Sequence, residues 1–138
     1  MIKVSSIDNI DLKEDKNYGY IVIRYTSGNF FVTALSMENE ILLTRSIGCM
    51  NLYSKKWELK SSEVCRSFGL YFCICLKEKG LLNNFFYFIK LKSDFKGKNS
   101  KASSLIRGFF EGELNMVGFL DSRPFSHNGV RSKKKRRR

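Results

Sequence analysis

Tyr18-Gly19-Tyr20-Ile21-Val22-Ile23-Arg24-Tyr25 decides the fold. Residues Tyr18, Tyr20, Val22 and Arg24 alternate with Gly19, Ile21, Ile23 and Tyr25, a period of two. A strand sends successive side chains to opposite faces, and both sets here are partly apolar, the pattern expected of a central strand covered on both sides. Working outward, residues 26–29 supply turn chemistry and Phe30–Leu35 a second strand. Met37–Glu40 make a second turn and Ile41–Arg45 a third strand. Connections this short predict an antiparallel meander.

Beyond the meander the period changes. Residues 47–56 have no clear period and read as a loop. Trp57, Val64, Cys65, Phe68, Phe72, Cys75 and Leu76 then keep three- and four-residue spacing, with Gly80 as a stop. Ser61 or Ser54 can cap the start of this helix. Asn84–Leu91 is an aromatic strand, residues 92–99 a basic loop, and Ser100 caps a short helix through Ala102, Leu105, Ile106 and Phe109 that ends near Gly112. Leu114–Leu120 is the last strand. The order β-β-β-α-β-α-β predicts an α/β fold. The expected form is a three-layer sandwich: a mixed five-stranded sheet with one helix on each face, plus a basic C-terminal extension. Three segments are expected: a loose leader at 1–17, an α/β RNA-binding domain at 18–121 and an extended arm at 122–138.

The arm is the chemically loudest segment. From Arg131 onward every residue except Ser132 is a permanent cation. The formal charge of the 138 residues is +12, and Arg131, Lys133, Lys134, Lys135, Arg136, Arg137 and Arg138 account for seven of it, so the remainder is basic as well. Such a run repels itself and stays extended until a polyanion neutralises it, and contacted phosphates release counterions. A nuclear-localisation patch or a solvated tail would share the composition. Two further basic segments lead into helix starts: Lys55, Lys56 and Lys60 before the first helix, and Lys92, Lys96, Lys98 and Lys101 before the second. A helix start carries free N–H groups and partial positive charge, which suit phosphate. Surface loops are often lysine-rich without function, but two of them beside the arm point to one RNA face. Tyr53, Trp57 and Phe95 lie beside lysines, where base stacking competes with core packing.

Other chemistry is poorly served. His127 is the only histidine, so no Ser-His-Asp or Cys-His pair is expected in the body. The carboxylates fall on turns and helix ends, whereas a two-metal nuclease needs acids converging from strands. No phosphate-binding Gly-x-x-x-x-Gly-Lys-Ser loop exists. Cys49, Cys65, Cys73 and Cys75 lack the paired spacing of a structural zinc and are expected to be reduced, packed thiols. The expectation is therefore no catalysis, no cofactor, no metal and no small-molecule substrate. The longest apolar run, Gly69–Leu76, is far shorter than a membrane span. Residues 1–11 are neither Arg-rich nor poor in acids, which makes a poor targeting peptide and suggests synthesis in the compartment of use.

His127-Asn128-Gly129, then Arg131 and Lys133–Arg138, resembles the C-terminal signature Pro-His-Asn-Gly-Cys-Arg-Pro-Pro-Lys-Lys-Arg-Arg of the universal small-subunit ribosomal protein family numbered eleven. Weaker similarity runs back from there. Asp121 and Pro124 match the lead-in, Ser104–Arg107 the family's Ser-Thr-Ile-Arg, Gly28–Thr33 its hairpin, and Arg66 its Glu-Arg-Cys helix segment. The family's glycine-rich loops are reduced here to Ile47–Tyr53 and Ser93–Gly97, and Ser132-Lys133 replaces its Pro-Pro. The resemblance implies a non-enzymatic protein that binds rRNA in the platform, near the messenger exit and beside neighbouring ribosomal proteins, with messenger RNA as a further neighbour. The RNA-binding residues it and the charge pattern imply are Lys55, Lys56, Lys60, Lys96, Lys98, Lys101, Arg123, His127, Asn128, Gly129, Arg131 and Lys133 to Arg138. Asn128-Gly129 is expected to turn with positive φ, with Pro124 setting the exit direction. Abundant Phe, Lys, Asn and Ile with a single Pro suggest an AT-rich organelle genome. The expected home is a mitochondrial ribosome encoded in the organelle, with plastid or bacterial cytoplasm as alternatives.

Overall fold

A computed structural model describes residues 17–26, 29–50, 61–92 and 101–137. Strands β1 (Asn17–Tyr25), β2 (Phe30–Ser36), β3 (Ile41–Ser46), β4 (Phe85–Leu91) and β5 (Met116–Asp121) form one sheet in the order β3-β2-β1-β4-β5. Helix α1 (Ser62–Glu78) joins β3 to β4, and α2 (Lys101–Glu111) joins β4 to β5. The β1–β2 and β2–β3 pairs are antiparallel, as the short turns require, and β1–β4 and β4–β5 are parallel. The sheet is mixed, five-stranded and accompanied by two helices, in the sequence order expected.

The expected layering is not what forms. Both helices lie on one face of the sheet. Two antiparallel steps leave β3 parallel to β1 and β4, so β3-α1-β4 and β4-α2-β5 are both parallel crossovers. They also advance the same way across the sheet. Crossovers of one hand that travel in one direction deposit their helices on the same side, and two faces are covered only when the direction reverses. The element order alone leaves the layering open; the strand order decides it.

The two helices accordingly touch backbone to backbone. A Cβ built on Gly69 of α1 would lie 2.6 Å from the Leu105 carbonyl oxygen and 2.9 Å from Gly108 Cα. Phe72 and Phe109 rings meet at 6.0 Å just beyond. Beneath them, Ile21 and Ile23 of β1, Val32 and Ala34 of β2, Leu43 of β3 and Ile89 of β4 complete the core. Phe68, Phe72, Leu105 and Phe109 are fully buried, each contributing roughly 1.5–3 kcal/mol of apolar transfer free energy.

Helix boundaries follow from their caps. Ser61 is the α1 cap, its hydroxyl accepting from the Val64 N–H at 3.3 Å. At the other end Gly80 takes φ +70°, and the Leu81 N–H returns to the Leu76 carbonyl at 2.9 Å. For α2 the left-handed residue is Glu113 (φ 59°), with the Leu114 N–H donating to Phe109 O at 3.1 Å. Gly112 has a packing role instead, since a Cβ there would meet Cys73 Sγ at 2.6 Å. The segment read as loop after β3 opens with a single 3-10 turn, Ile47–Met50, whose Ile47 and Met50 are buried. Among the described residues no helix is long and apolar enough to cross a membrane.

Candidate nucleic-acid interface

The ladder registers bring the basic features to one edge of the sheet. Ser46 pairs with Phe31 and Phe31 with Arg24; next to these, Ile23 pairs with Leu91 and Leu91 with Asp121. The carboxyl ends of β1, β3, β4 and β5 therefore form one line. Each helix begins at this edge. Lys101, the first residue of α2, donates through Nζ to the Tyr25 hydroxyl at 3.0 Å. At the far end of α1, Lys79 Nζ reaches the Leu42 carbonyl near the start of β3, which leaves the Ser61 cap at the opposite, basic end.

Consequently Met50 and Ser61, which flank residues 51–60, and Lys92 and Lys101, which flank residues 93–100, all belong to this edge. Lys55, Lys56, Lys60, Lys96 and Lys98 fall within those two segments, outside the described residues, as does Arg138. The leader assigned to 1–17 also lies outside them, except for Asn17, which opens β1. The topology thus sets the described flanks of both segments, Met50 with Ser61 and Lys92 with Lys101, at the edge from which the arm departs.

The arm leaves from the same edge. The Ser122 N–H donates to the Leu91 carbonyl at 2.9 Å, the last ladder contact before the chain departs. Arg123 then folds back onto Asp121, with Nε at 2.8 Å from one carboxylate oxygen and Nη2 at 2.6 Å from the other. Those hydrogen bonds hold the Asp121 carboxyl below its ordinary value. Arg123, one of the residues expected to bind RNA, has its guanidinium on Asp121 at the arm's root. Lys101 is likewise engaged, with its ammonium at 5.2 Å from the Tyr25 ring centre as well as on the hydroxyl.

From Pro124 to Arg137 every residue is exposed and none lies in a helix or strand. Asn128 (φ 62°) and Gly129 (φ 53°) both adopt left-handed backbone, and the Gly129 N–H donates to the His127 carbonyl at 2.8 Å. Asn and Gly are the residues that tolerate these angles most readily. The turn expected at Asn128-Gly129 is present, and it presents His127 to solvent. Arg131 and Lys133 to Arg137 follow, six exposed cations in seven residues. Phe125 and Val130 are 90% and 97% exposed, so nothing apolar ties the segment to the body.

Three of the four thiols are packing residues, and Cys49, also expected to pack, is not. Cys65, Cys73 and Cys75 are buried and Cys49 is exposed, all four unpaired. Burial pushes the Cys65 thiol up to about 11 and that of Cys73 to about 12, so both are neutral at physiological pH. Hydrogen bonding with Ser46, to its backbone first, lowers Cys49. Among the described residues no three His, Cys, Asp or Glu side chains converge as metal ligands would.

No known family's model matches this chain, and no curated protein matches it.

Proposed function

We propose that this chain is a structural protein of the small ribosomal subunit. In this reading it has no catalytic activity and binds rRNA in the platform, near the messenger exit and beside other ribosomal proteins. The observation that carries the reading is the arm: six described cations on an exposed segment, clamped at its root by Asp121–Arg123 and preceded by the left-handed His127-Asn128-Gly129 turn. A segment with no core to join and so much like charge is stabilised by threading among phosphates. The likeness of His127–Arg138 to the C-terminal signature of ribosomal protein family eleven supplies the particular polyanion. Lys55, Lys56, Lys60, Lys96 and Lys98 would add phosphate contacts, and Arg123 with Lys101 would hold the edge together.

A mitochondrial ribosome is the preferred home, on the compositional bias toward Phe, Lys, Asn and Ile. Plastid and bacterial ribosomes are the alternatives. A second reading, a free regulator with a basic tail, shares the arm but not the resemblance. Sedimentation separates them. Tagged protein expressed in its own host should travel with small subunits through a sucrose gradient and leave them only at high salt. Recovery in the soluble top fractions, with binding to short free duplexes, would favour the regulator.

A further inference from the structure

With both helices on one side, the other face of the sheet has no helix over it among the described residues. It is not an ordinary solvated face. Tyr18 and Tyr20 of β1 and Phe88 of β4 stand together there, with ring centres 6.1 Å apart for Tyr18–Phe88 and again for Tyr20–Phe88. Phe88 is only 3% exposed, so it forms a floor that props the two tyrosines, which remain half-buried. Phe31, beside Arg24 in the β1–β2 ladder, is 37% exposed.

The charge on this face has one sign. Arg24 is exposed at the carboxyl edge, and Lys90 lies directly across from Val22 with its Nζ 3.7 Å from the centre of the Tyr20 ring. Among the described residues no carboxylate shares the face. Glu38 and Glu40 sit in the β2–β3 turn at the far end, and Asp121 pairs across from Leu91, which packs toward the core. A neighbouring stripe adds hydroxyls, Thr44 and Thr33, 3.4 Å apart across the strands.

Partly exposed aromatic rings, cations among them and no opposing acid among the described residues make the combination that takes unpaired nucleotides: bases stack on the rings and phosphates meet the cations. A purely apolar protein partner would leave Arg24 and Lys90 desolvated and unpaired, which is costly. We propose that this open face is a second RNA-binding surface, a stacking platform for a single-stranded segment, with bases on Tyr18, Tyr20 and Phe31 and phosphates on Arg24 and Lys90. The ammonium resting on Tyr20 is the group that moves onto a phosphate as a base takes its place. This surface is distinct from the arm and does not depend on the ribosomal assignment.

Hydroxyl-radical footprinting of the full chain, with and without a single-stranded oligouridine, tests it. Roughly 1 M salt is used, where screening leaves charges a reach of only about 3 Å and the arm contributes little. Tyr18 and Tyr20 should be oxidised in the free protein and protected several-fold by the oligouridine. The Tyr18→Leu/Tyr20→Leu double variant, which keeps apolar cover but loses the aromatic planes, should bind roughly tenfold more weakly. Should that variant fold poorly, Arg24→Gln/Lys90→Gln should weaken binding in lower salt while keeping the wild-type melting temperature. Tyrosines already shielded without RNA would mean that another part of the chain or a second copy occupies the face, and would overturn the proposal. Oxidation unchanged by oligouridine, or unaltered affinity in both variants, would overturn it equally. None of these results bears on sedimentation with small subunits, so the two readings fail separately.

Discussion

Replacing Gly69 by Ala should unfold this protein more readily, although the same change in an exposed helix would stabilise it. Alanine is favoured over glycine by about 1 kcal/mol within a helix. Against that, the new methyl would stand 2.6 Å from Leu105 O and 2.9 Å from Gly108 Cα, and both obstacles are backbone that no rotamer change can move. The helices must separate by the better part of an ångström, opening the Phe72–Phe109 contact as they do. Overpacking of this kind costs about 1–3 kcal/mol, and the rigid obstacle argues for the upper end, so the net loss is about 2 kcal/mol. For a chain of this size that lowers the melting temperature by about 6–10 °C. Thermal unfolding followed by circular dichroism measures it, with Gly118→Ala as the control, because a Cβ there meets only Phe88 Cδ1 at 3.9 Å. A Gly69→Ala protein as stable as wild type or more so would refute the helix contact, and with it the placement of both helices on one face.

Other outcomes follow from the same structure. A thiol reagent at neutral pH should label Cys49 quickly and leave Cys65 and Cys73 unmodified until denaturant is added, since burial holds those two at about 11 and about 12; mass spectrometry of the labelled peptides reads the order. Asp121, lowered by Arg123, stabilises the fold above the ordinary carboxylate value of about 3.9 and loses that contribution as pH falls through its lower folded value. Melting curves taken from pH 6 down to about 2 should therefore show a smaller acid-induced decline for Asp121→Asn than for wild type, and identical declines would refute the clamp. Removal of residues 131–138 should flatten the dependence of log K on log salt by up to about five, from seven cations at about 0.7 each for single strands, and an unchanged slope would show that the arm contacts no phosphate.

The elements themselves were legible because each carries its own local signal. Period two marked the meander, Ser61 was one of two candidate caps for α1 with Ser54, and Gly80 marked its end; the structure moves one boundary of each of β1 to β4 by a residue, and the two of β5 by two and one. The layering was not legible from periodicity. Tyr18, Tyr20, Phe86 and Phe88 read as apolar and therefore covered, yet rings that pack on one another with polar or charged neighbours can line a face that neither described helix covers. Strand order was the missing fact, and it depends on pairing across distant residues. Gly69 and Gly108 did leave a trace: a glycine inside an apolar helix run costs stability unless something must come close. Gly112 misled in the opposite direction, resembling a cap when its neighbour Cys73 is the reason for it. At the candidate site the cations were visible as residues, but which are exposed and which are engaged was not. Arg123 and Lys101 pair with Asp121 and Tyr25, groups whose proximity only the folded edge creates.

Delivery of a cationic arm into ribosomal RNA by a folded body, as proposed, is tested by comparing intact protein with a chain ending at Val130 in small-subunit fractions. The intact protein should cosediment with the particle, and the shortened one should give the same circular dichroism spectrum yet remain at the top of the gradient. A shortened protein that enters the particle as fully as the intact one, or an intact protein absent from it, would rule out that role for the arm.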